Sequence, residues 1–368
     1  MKAMKHLFKI SRRALPALCA LALCACSKDP KYEQFYDESG LYVALTGFND
    51  NLYSFQLKPG ESFTSIEDVS RIKTFVNGLR TADGTILYYA MEDAIDNLTL
   101  SRFPQDLKNV SIITFTDGLD QGSSAMNRKY NSAAAYLSAL GSSLKKVRIG
   151  GQPISAYTIG LKGKDVQDHA QFRQNLTGLS SSAEYAFEVT DINEVSAKFQ
   201  EVASALRNEY VTQTLTLTIP KPYSNTKIRF TFDGQDAASS ACYIEGTYVS
   251  GALSNITYKG LACGSGSKVS ESPSGSINVS FVFENVRFDS DFDPDGTEIR
   301  QWELIPGTDQ WQINSEFNPA NAIDKHVERQ SAAIVLLLDC SSSLGSDFEL
   351  LKQAADKFLD SLYNAYHS

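Results

Sequence analysis

The chain has few of the residues on which most enzyme active sites depend. It contains four histidines among 368 residues, and no two of them have the spacing of a zinc-binding pair. It also lacks the Gly-x-Ser-x-Gly turn of serine hydrolases and the glycine-rich loop that holds nucleotide phosphates. Ser341 lies near an acidic residue, but no motif places a histidine beside it. These absences predict a binding protein and not an enzyme.

Positive charge is also scarce, since the formal net charge is −9 at pH 7. Electrostatic binding to nucleic acids or to anionic lipids is therefore not expected. An acidic surface suits a protein that collects cations, although most such surfaces serve solubility. The sequence contains no internal repeat and no long low-complexity segment, and its length is sufficient for two domains with a sizeable core.

One apolar stretch near the amino terminus has the character of a targeting signal. A basic beginning is followed by Ala14–Ala25, which is too short to span a bilayer. The stretch ends in Leu-Cys-Ala-Cys, which resembles the signal of bacterial lipoproteins. This resemblance implies removal of residues 1–25, lipidation of Cys26, a polar tether over residues 26–40, and a place at the bacterial outer membrane, facing the periplasm or the surface. An ordinary secretory peptide is the alternative interpretation.

The most informative stretch lies near the other end of the chain, at Ala332–Leu344. Seven apolar residues in a row predict a strand buried on both faces, as at the centre of a parallel sheet. The strand brings Asp339, Ser341 and Ser343 to its carboxyl end, where open α/β sheets bind ligands. Apolar residues at helical spacing follow over Asp347–Tyr363. Three oxygen-bearing side chains on one turn suit a hard divalent cation such as Mg²⁺, and a helix-capping serine turn is the alternative.

Two further oxygen-bearing side chains lie elsewhere in the sequence. Thr85 precedes a helical stretch, and Asp117 ends another apolar strand. With the Asp-x-Ser-x-Ser motif, they resemble the metal-ion-dependent adhesion site of the von Willebrand factor type A (vWA) domain. The resemblance implies that Ser341 and Ser343 bind the cation directly, Thr85 directly or through water, and Asp339 and Asp117 often through water. The cation, Mg²⁺ or alternatively Mn²⁺ or Ca²⁺, would then take a carboxylate from a protein partner.

Strands that alternate with helices predict an α/β fold with a mostly parallel central sheet. The vWA resemblance implies a Rossmann-like arrangement, but in that family the Asp-x-Ser-x-Ser strand comes first, and here it comes last. We therefore predict a circularly permuted vWA domain, with its first part over residues 41–210 and its last part over 321–368. A monomer is expected, and a domain-swapped dimer is the alternative.

The intervening residues 211–320 are rich in Thr, Ser, Gly, Tyr and Val, and alternation such as that of Thr214–Ile219 predicts an inserted all-β sandwich. Within this segment, Cys242 and Cys263 either form a disulfide or remain buried thiols.

An acidic run in the same segment resembles the start of an EF-hand calcium loop through Asp291, Asp293 and Asp295. The position of the loop's closing glutamate is occupied by Trp302, and a solvated acidic turn is the alternative interpretation.

Two functional hypotheses follow. The first is a cell-envelope lipoprotein that binds a protein, or another acidic ligand, through the divalent cation. The second is a metal-independent scaffold or assembly subunit of an envelope complex. One fold hosts many functions, so the sequence does not identify the partner.

Overall fold

The computed structural model describes residues 33–162, 169–270, 277–289, 298–318 and 323–367. Cys26 and the three aspartates of the candidate calcium loop lie outside these residues. None of the helices in the described ranges is long and apolar enough to cross a membrane.

Strands and helices alternate over the first part of the described chain. In order, these elements are β1 (Gln34–Phe35), β2 (Leu41–Phe48), β3 (Leu52–Ser54), β4 (Thr64–Ser65), α1 (Val69–Gly78), α2 (Leu87–Leu100), β5 (Ser101–Arg102), β6 (Leu107–Thr116), α3 (Ser123–Met126), α4 (Ala133–Lys146), β7 (Arg148–Ile149), β8 (Gln152–Pro153), β9 (Ser155–Leu161), α5 (His169–Gly178), β10 (Ala186–Val189) and α6 (Ile192–Tyr210).

Strands alone follow, and the chain then returns to a last strand and helix. These elements are β11 (Val211–Pro220), β12 (Thr226–Thr231), β13 (Tyr243–Val249), β14 (Ala252–Lys259), β15 (Leu261–Ala262), β16 (Ser265–Ser270), β17 (Asn278–Glu284), β18 (Arg287–Phe288), β19 (Arg300–Leu304), β20 (Trp311–Ile313), β21 (Ile323–Arg329), β22 (Ser331–Asp339) and α7 (Asp347–His367).

The largest sheet is mixed and has the strand order β10-β9-β6-β22-β2-β3, with β4 also paired to β2. The five strands from β10 to β2 are parallel, and β3 and β4 run antiparallel to β2. The predicted α/β class with a mostly parallel sheet is therefore confirmed. The strand predicted from the apolar run is β22, and it lies at the middle of this sheet with every residue buried.

Alternation along β22 explains why its residues between Ser331 and Asp339 are all apolar. Ile334 and Leu336 pack into a core with α1, α6 and α7, whereas Val335 and Leu337 pack into a second core with α2 and α4. Burial of each such side chain contributes about 1.5–3 kcal/mol. Helices thus cover both faces of the sheet, and β22 is a strand that both cores require.

The register of the parallel strands brings three chain segments to one edge of the sheet. Asp339 at the end of β22 pairs with Phe48 at the end of β2, and Leu338 pairs with Phe115 near the end of β6. Because parallel strands end at the same side, the loops that follow them meet there. This edge holds the candidate site.

The segment between α6 and β22 forms two antiparallel sheets with the orders β16-β17-β11-β21 and β14-β13-β12-β19-β20. Apolar residues from both sheets form one common core, which includes Leu217, Phe230 and Phe281. Strand β11 continues directly from α6, and β21 leads directly into β22. These two connecting strands are paired, from Val211 with Arg329 to Leu217 with Ile323.

Strand β21 was not expected from the sequence and begins after the predicted boundary at residue 320. Its residues Ile-Asp-Lys-His-Val-Glu-Arg are mostly charged and have no apolar alternation. A charged strand is suited to the edge of a sheet, because charge discourages pairing with other chains. Backbone pairing with β11, and not the side-chain pattern, therefore defines this strand.

The disulfide that was one of two interpretations for Cys242 and Cys263 is absent from the structure. The Cys242 thiol is buried and lies 3.6 Å from the carbonyl oxygen of Gly260. The half-buried Cys263 thiol lies 3.2 Å from the carbonyl oxygen of Glu284. Each thiol thus has its own backbone acceptor, and the two remain separate.

Candidate metal centre

The loop after β22 is folded around Asp339. Asp339 Oδ1 accepts a hydrogen bond from the backbone N–H of Ser341 at 2.9 Å, which turns the chain back on itself. Asp339 Oδ2 accepts from the hydroxyl of Thr116 on β6 at 2.8 Å. The carboxyl group is fully buried, and it fixes both its own loop and the end of the neighbouring strand.

Asp117 joins the two serines of the motif from a separate strand. The Ser341 hydroxyl donates to Asp117 Oδ1 at 2.8 Å, and the Ser343 hydroxyl donates to Asp117 Oδ2 at 2.7 Å. The two hydroxyl oxygens lie 2.8 Å apart. Asp117 is separated from each of the two serines by more than 220 positions in the chain. The structure therefore brings four of the five predicted ligands into one hydrogen-bonded cluster.

No positive charge from the described part of the chain pairs with the two carboxyl groups of this cluster. Among the described residues, no basic side chain forms an ion pair with either of them. Burial raises the pKa of Asp339, and the nearby charge of Asp117 raises it further. Burial also raises the pKa of Asp117, although hydrogen bonds from Ser343 and Ser341 oppose this effect. A divalent cation would offset the cost of keeping both groups ionised.

Thr85 lies on a loop next to this cluster. Its carbonyl oxygen accepts from the N–H of Gln121, which follows Asp117, and the next residue, Ile86, donates its N–H to the carbonyl oxygen of Asn49. Thr85 is 3% exposed, and within the described ranges its hydroxyl makes no hydrogen bond. The fifth predicted ligand thus has a hydroxyl without a hydrogen-bond partner among the described residues.

Asp120 positions the helix that follows Thr85, a role that was not predicted from the sequence. Its carboxylate accepts from the backbone N–H of Tyr88 at 3.1 Å and from the hydroxyl of Ser123. The residue before α2 is Ile86, which has no side-chain acceptor, so Asp120 supplies the missing cap from a distant loop. No local pattern in the sequence predicts this contact.

Cys340 lies inside the loop but does not belong to the group of oxygen ligands. Its side chain is fully buried, and its backbone N–H donates to the carbonyl oxygen of Phe48 at 2.7 Å. Burial raises the pKa of the thiol to about 12, so the sulfur stays protonated at neutral pH. Cys340 thus packs under the loop as a small apolar residue.

The donor set consists of two carboxylates and three hydroxyls, which is the chemistry that Mg²⁺ and Ca²⁺ prefer. In the described part of the chain, no three or more His, Cys, Asp or Glu side chains gather as a metal-binding group. A cation at this site would therefore depend on hydroxyls and water for much of its coordination.

Comparisons with known proteins give little further information. No protein-family model matches the chain, and no curated protein matches it. Among solved structures, the adhesive tip pilin GBS104 from Group B Streptococcus agalactiae is similar at 11% identity and a TM-score of 0.14. The match covers 48% of this chain and 33% of that chain, and a similarity this low supports no conclusion on fold or function.

Proposed function

We propose that this protein is a circularly permuted vWA-type adhesion protein of the bacterial envelope. It binds a divalent cation, with Mg²⁺ as the first candidate, through Asp339, Ser341, Ser343, Thr85 and Asp117. The cation then holds a carboxylate of a protein partner, and Cys26 carries the lipid anchor. The two-sheet segment is a β-sandwich inserted into the vWA domain.

The observation that carries the proposal is the meeting of Asp117 with the hydroxyls of Ser341 and Ser343. Nothing local in the sequence requires this contact, because the residues belong to loops far apart in the chain. The vWA resemblance assigns the same three residues to one metal site. The unused hydroxyl of Thr85 on the adjoining loop is consistent with a fourth oxygen ligand.

The strand arrangement supports the permutation. The Asp-x-Ser-x-Ser strand of a vWA domain lies in the middle of its sheet, and β22 lies between β2 and β6. The paired strands β11 and β21 bring the two connections of the insertion together. A folded segment whose ends meet can be inserted without separating β22 from the rest of the sheet.

The residues of the site have separate roles in this proposal. The hydroxyls of Ser341, Ser343 and Thr85 are neutral, so they leave much of the cation's charge available for an acidic ligand. Asp339 fixes the loop through the Ser341 N–H, and Asp117 aligns the two serine hydroxyls. When bound, the cation supplies an open coordination position for the partner's carboxylate. No general base is needed.

The test is a thermal unfolding series on the soluble chain from about residue 27, with EDTA, Mg²⁺, Mn²⁺ or Ca²⁺. A ligand that binds only the folded state raises the melting temperature, so we expect a cation-dependent rise. We expect no rise in the Ser341→Ala variant. Ser346→Ala is the matched control, because Ser346 is an exposed serine of the same loop whose hydroxyl forms no hydrogen bond with a described residue.

The scaffold hypothesis gives a different result in the same series. A folded wild-type chain whose melting temperature is unchanged by every cation would argue against the cation site. Partner binding that survives in EDTA would then favour a metal-independent assembly subunit.

A further inference from the structure

The middle serine of the three, Ser342, is not a ligand in the proposed site and contacts a different loop. Its hydroxyl donates to Asp83 Oδ1 at 2.5 Å. Its backbone N–H donates to the carbonyl oxygen of Ala82 at 2.9 Å, and the N–H of Ala82 donates to the carbonyl oxygen of Cys340 at 3.1 Å. Residues 82–83 therefore run alongside the serine loop and are bonded to it by backbone and side chain.

The chain turns sharply between Asp83 and Thr85. Gly84 has a φ of +95°, and a Cβ at this position would lie 3.2 Å from the backbone nitrogen of Asp50. A side chain is thus disfavoured by both conformation and space. Because the turn is tight, a displacement of Asp83 would be transmitted to Thr85.

Asp83 and Ser342 form the only side-chain hydrogen bond that joins these two loops in the described part of the chain. Both residues are exposed, and neither is needed for the apolar cores. The bond therefore has no evident role in the packing of the sheet. Its position suits the alignment of Thr85 with the serine hydroxyls.

We propose that the hydrogen bond between Asp83 and Ser342 positions Thr85 and thereby makes the site prefer Mg²⁺ to Ca²⁺. This inference rests on the proposed function. Mg²⁺ requires near-octahedral ligands at about 2.0–2.1 Å, whereas Ca²⁺ accepts longer and more variable distances of about 2.3–2.6 Å. A loop held at a fixed position therefore favours Mg²⁺, whose geometry is stricter. Loosening the loop should lower the affinity for Mg²⁺ more than the affinity for Ca²⁺.

A purely electrostatic role for Asp83 makes different predictions. If only its negative charge attracted cations, Ser342→Ala would have no effect, because it leaves the charge in place. Asp83→Asn and Asp83→Ala would then weaken both cations equally. In a positioning role, Ser342→Ala resembles Asp83→Ala, and Asp83→Asn is mild because the amide oxygen still accepts the hydrogen bond.

The experiment is calorimetric titration of the chain from about residue 27 with Mg²⁺ and with Ca²⁺. We expect Ser342→Ala and Asp83→Ala to weaken Mg²⁺ binding about tenfold, as is typical for residues that support metal ligands, and Ca²⁺ binding by less than about threefold. The double variant should bind Mg²⁺ no more weakly than the weaker single variant. Ser346→Ala should match the wild type, and the melting temperatures in EDTA should stay close together.

The outcomes separate this inference from the proposed function. If the wild type binds neither cation, both fail. If the wild type binds Mg²⁺ and Ser342→Ala binds it equally well, or loses both cations to the same extent, the positioning role alone is overturned.

Discussion

The buried carboxyl group of Asp339 predicts that the metal-free protein is less stable than an isosteric variant without the charge. Burial and the neighbouring Asp117 raise the pKa of Asp339 from 3.8 to about 7. Each tenfold change in proton affinity corresponds to about 1.36 kcal/mol, so the ionised group destabilises the metal-free fold by of order 4 kcal/mol at most. Asp339→Asn removes this cost and keeps an oxygen for the Ser341 N–H.

The sign of the pH dependence follows from linkage. The folded pKa lies above the unfolded one, so the folded state binds more protons in the window between about 4 and 7. The contribution of this group to stability is therefore greatest below that window, falls as the pH rises through it, and is constant above it. The difference between the wild type and Asp339→Asn should grow over the same window.

The assay is denaturant unfolding in EDTA at pH 7.5 and at pH 4.5. The altered hydrogen bond with Thr116 costs about 1–2 kcal/mol. We therefore expect Asp339→Asn to be more stable than the wild type by a net amount of about 2 kcal/mol at pH 7.5. The gain should largely disappear at pH 4.5, and an exposed control, Asp309→Asn, should change stability little at either pH. A variant that is less stable than the wild type by the same amount at both pH values would refute the reasoning.

Three further predictions concern the cation, the apolar core and the lipid anchor. Mg²⁺ affinity should rise between about pH 4 and 7 and then level off, because the cation displaces protons from the carboxyl groups of Asp339 and Asp117. Calorimetric titration at several pH values measures this affinity. Leu336→Ala should cost about 2–5 kcal/mol in denaturant unfolding, because the side chain is fully buried in the central strand, whereas Leu350→Ala, at 39% exposure, should cost much less. In whole cells, Cys26→Ala should move the protein out of the membrane fraction, and Cys24→Ala should not.

The parts of the fold that the sequence predicted depend on regular local patterns. The apolar run at Ala332–Leu338 predicted a buried strand because both cores require apolar residues from it. Asp117 and Thr85 were identified because a strand end and a helix start are visible in the sequence around them. Motif spacing then related these positions to the serine loop.

The parts that were missed depend on contacts between distant segments. The hydroxyl of Thr116 on β6 reaches Asp339 on the neighbouring strand β22, and Asp120 caps a helix that begins more than thirty residues earlier. Ser342 occupies an unspecified position of the Asp-x-Ser-x-Ser motif, and its contact with Asp83 is set by how the loops meet. Such contacts follow from the register of the sheet, which side-chain periodicity alone does not determine.

The most direct measurement is anomalous diffraction from crystals grown or soaked with Mn²⁺. The account predicts a single strong peak in contact with the hydroxyls of Ser341 and Ser343, and loss of that peak in the Ser341→Ala variant. A well-ordered loop with no peak there, at a Mn²⁺ concentration that saturates known sites of this chemistry, would contradict the central claim that this edge of the sheet binds a divalent cation.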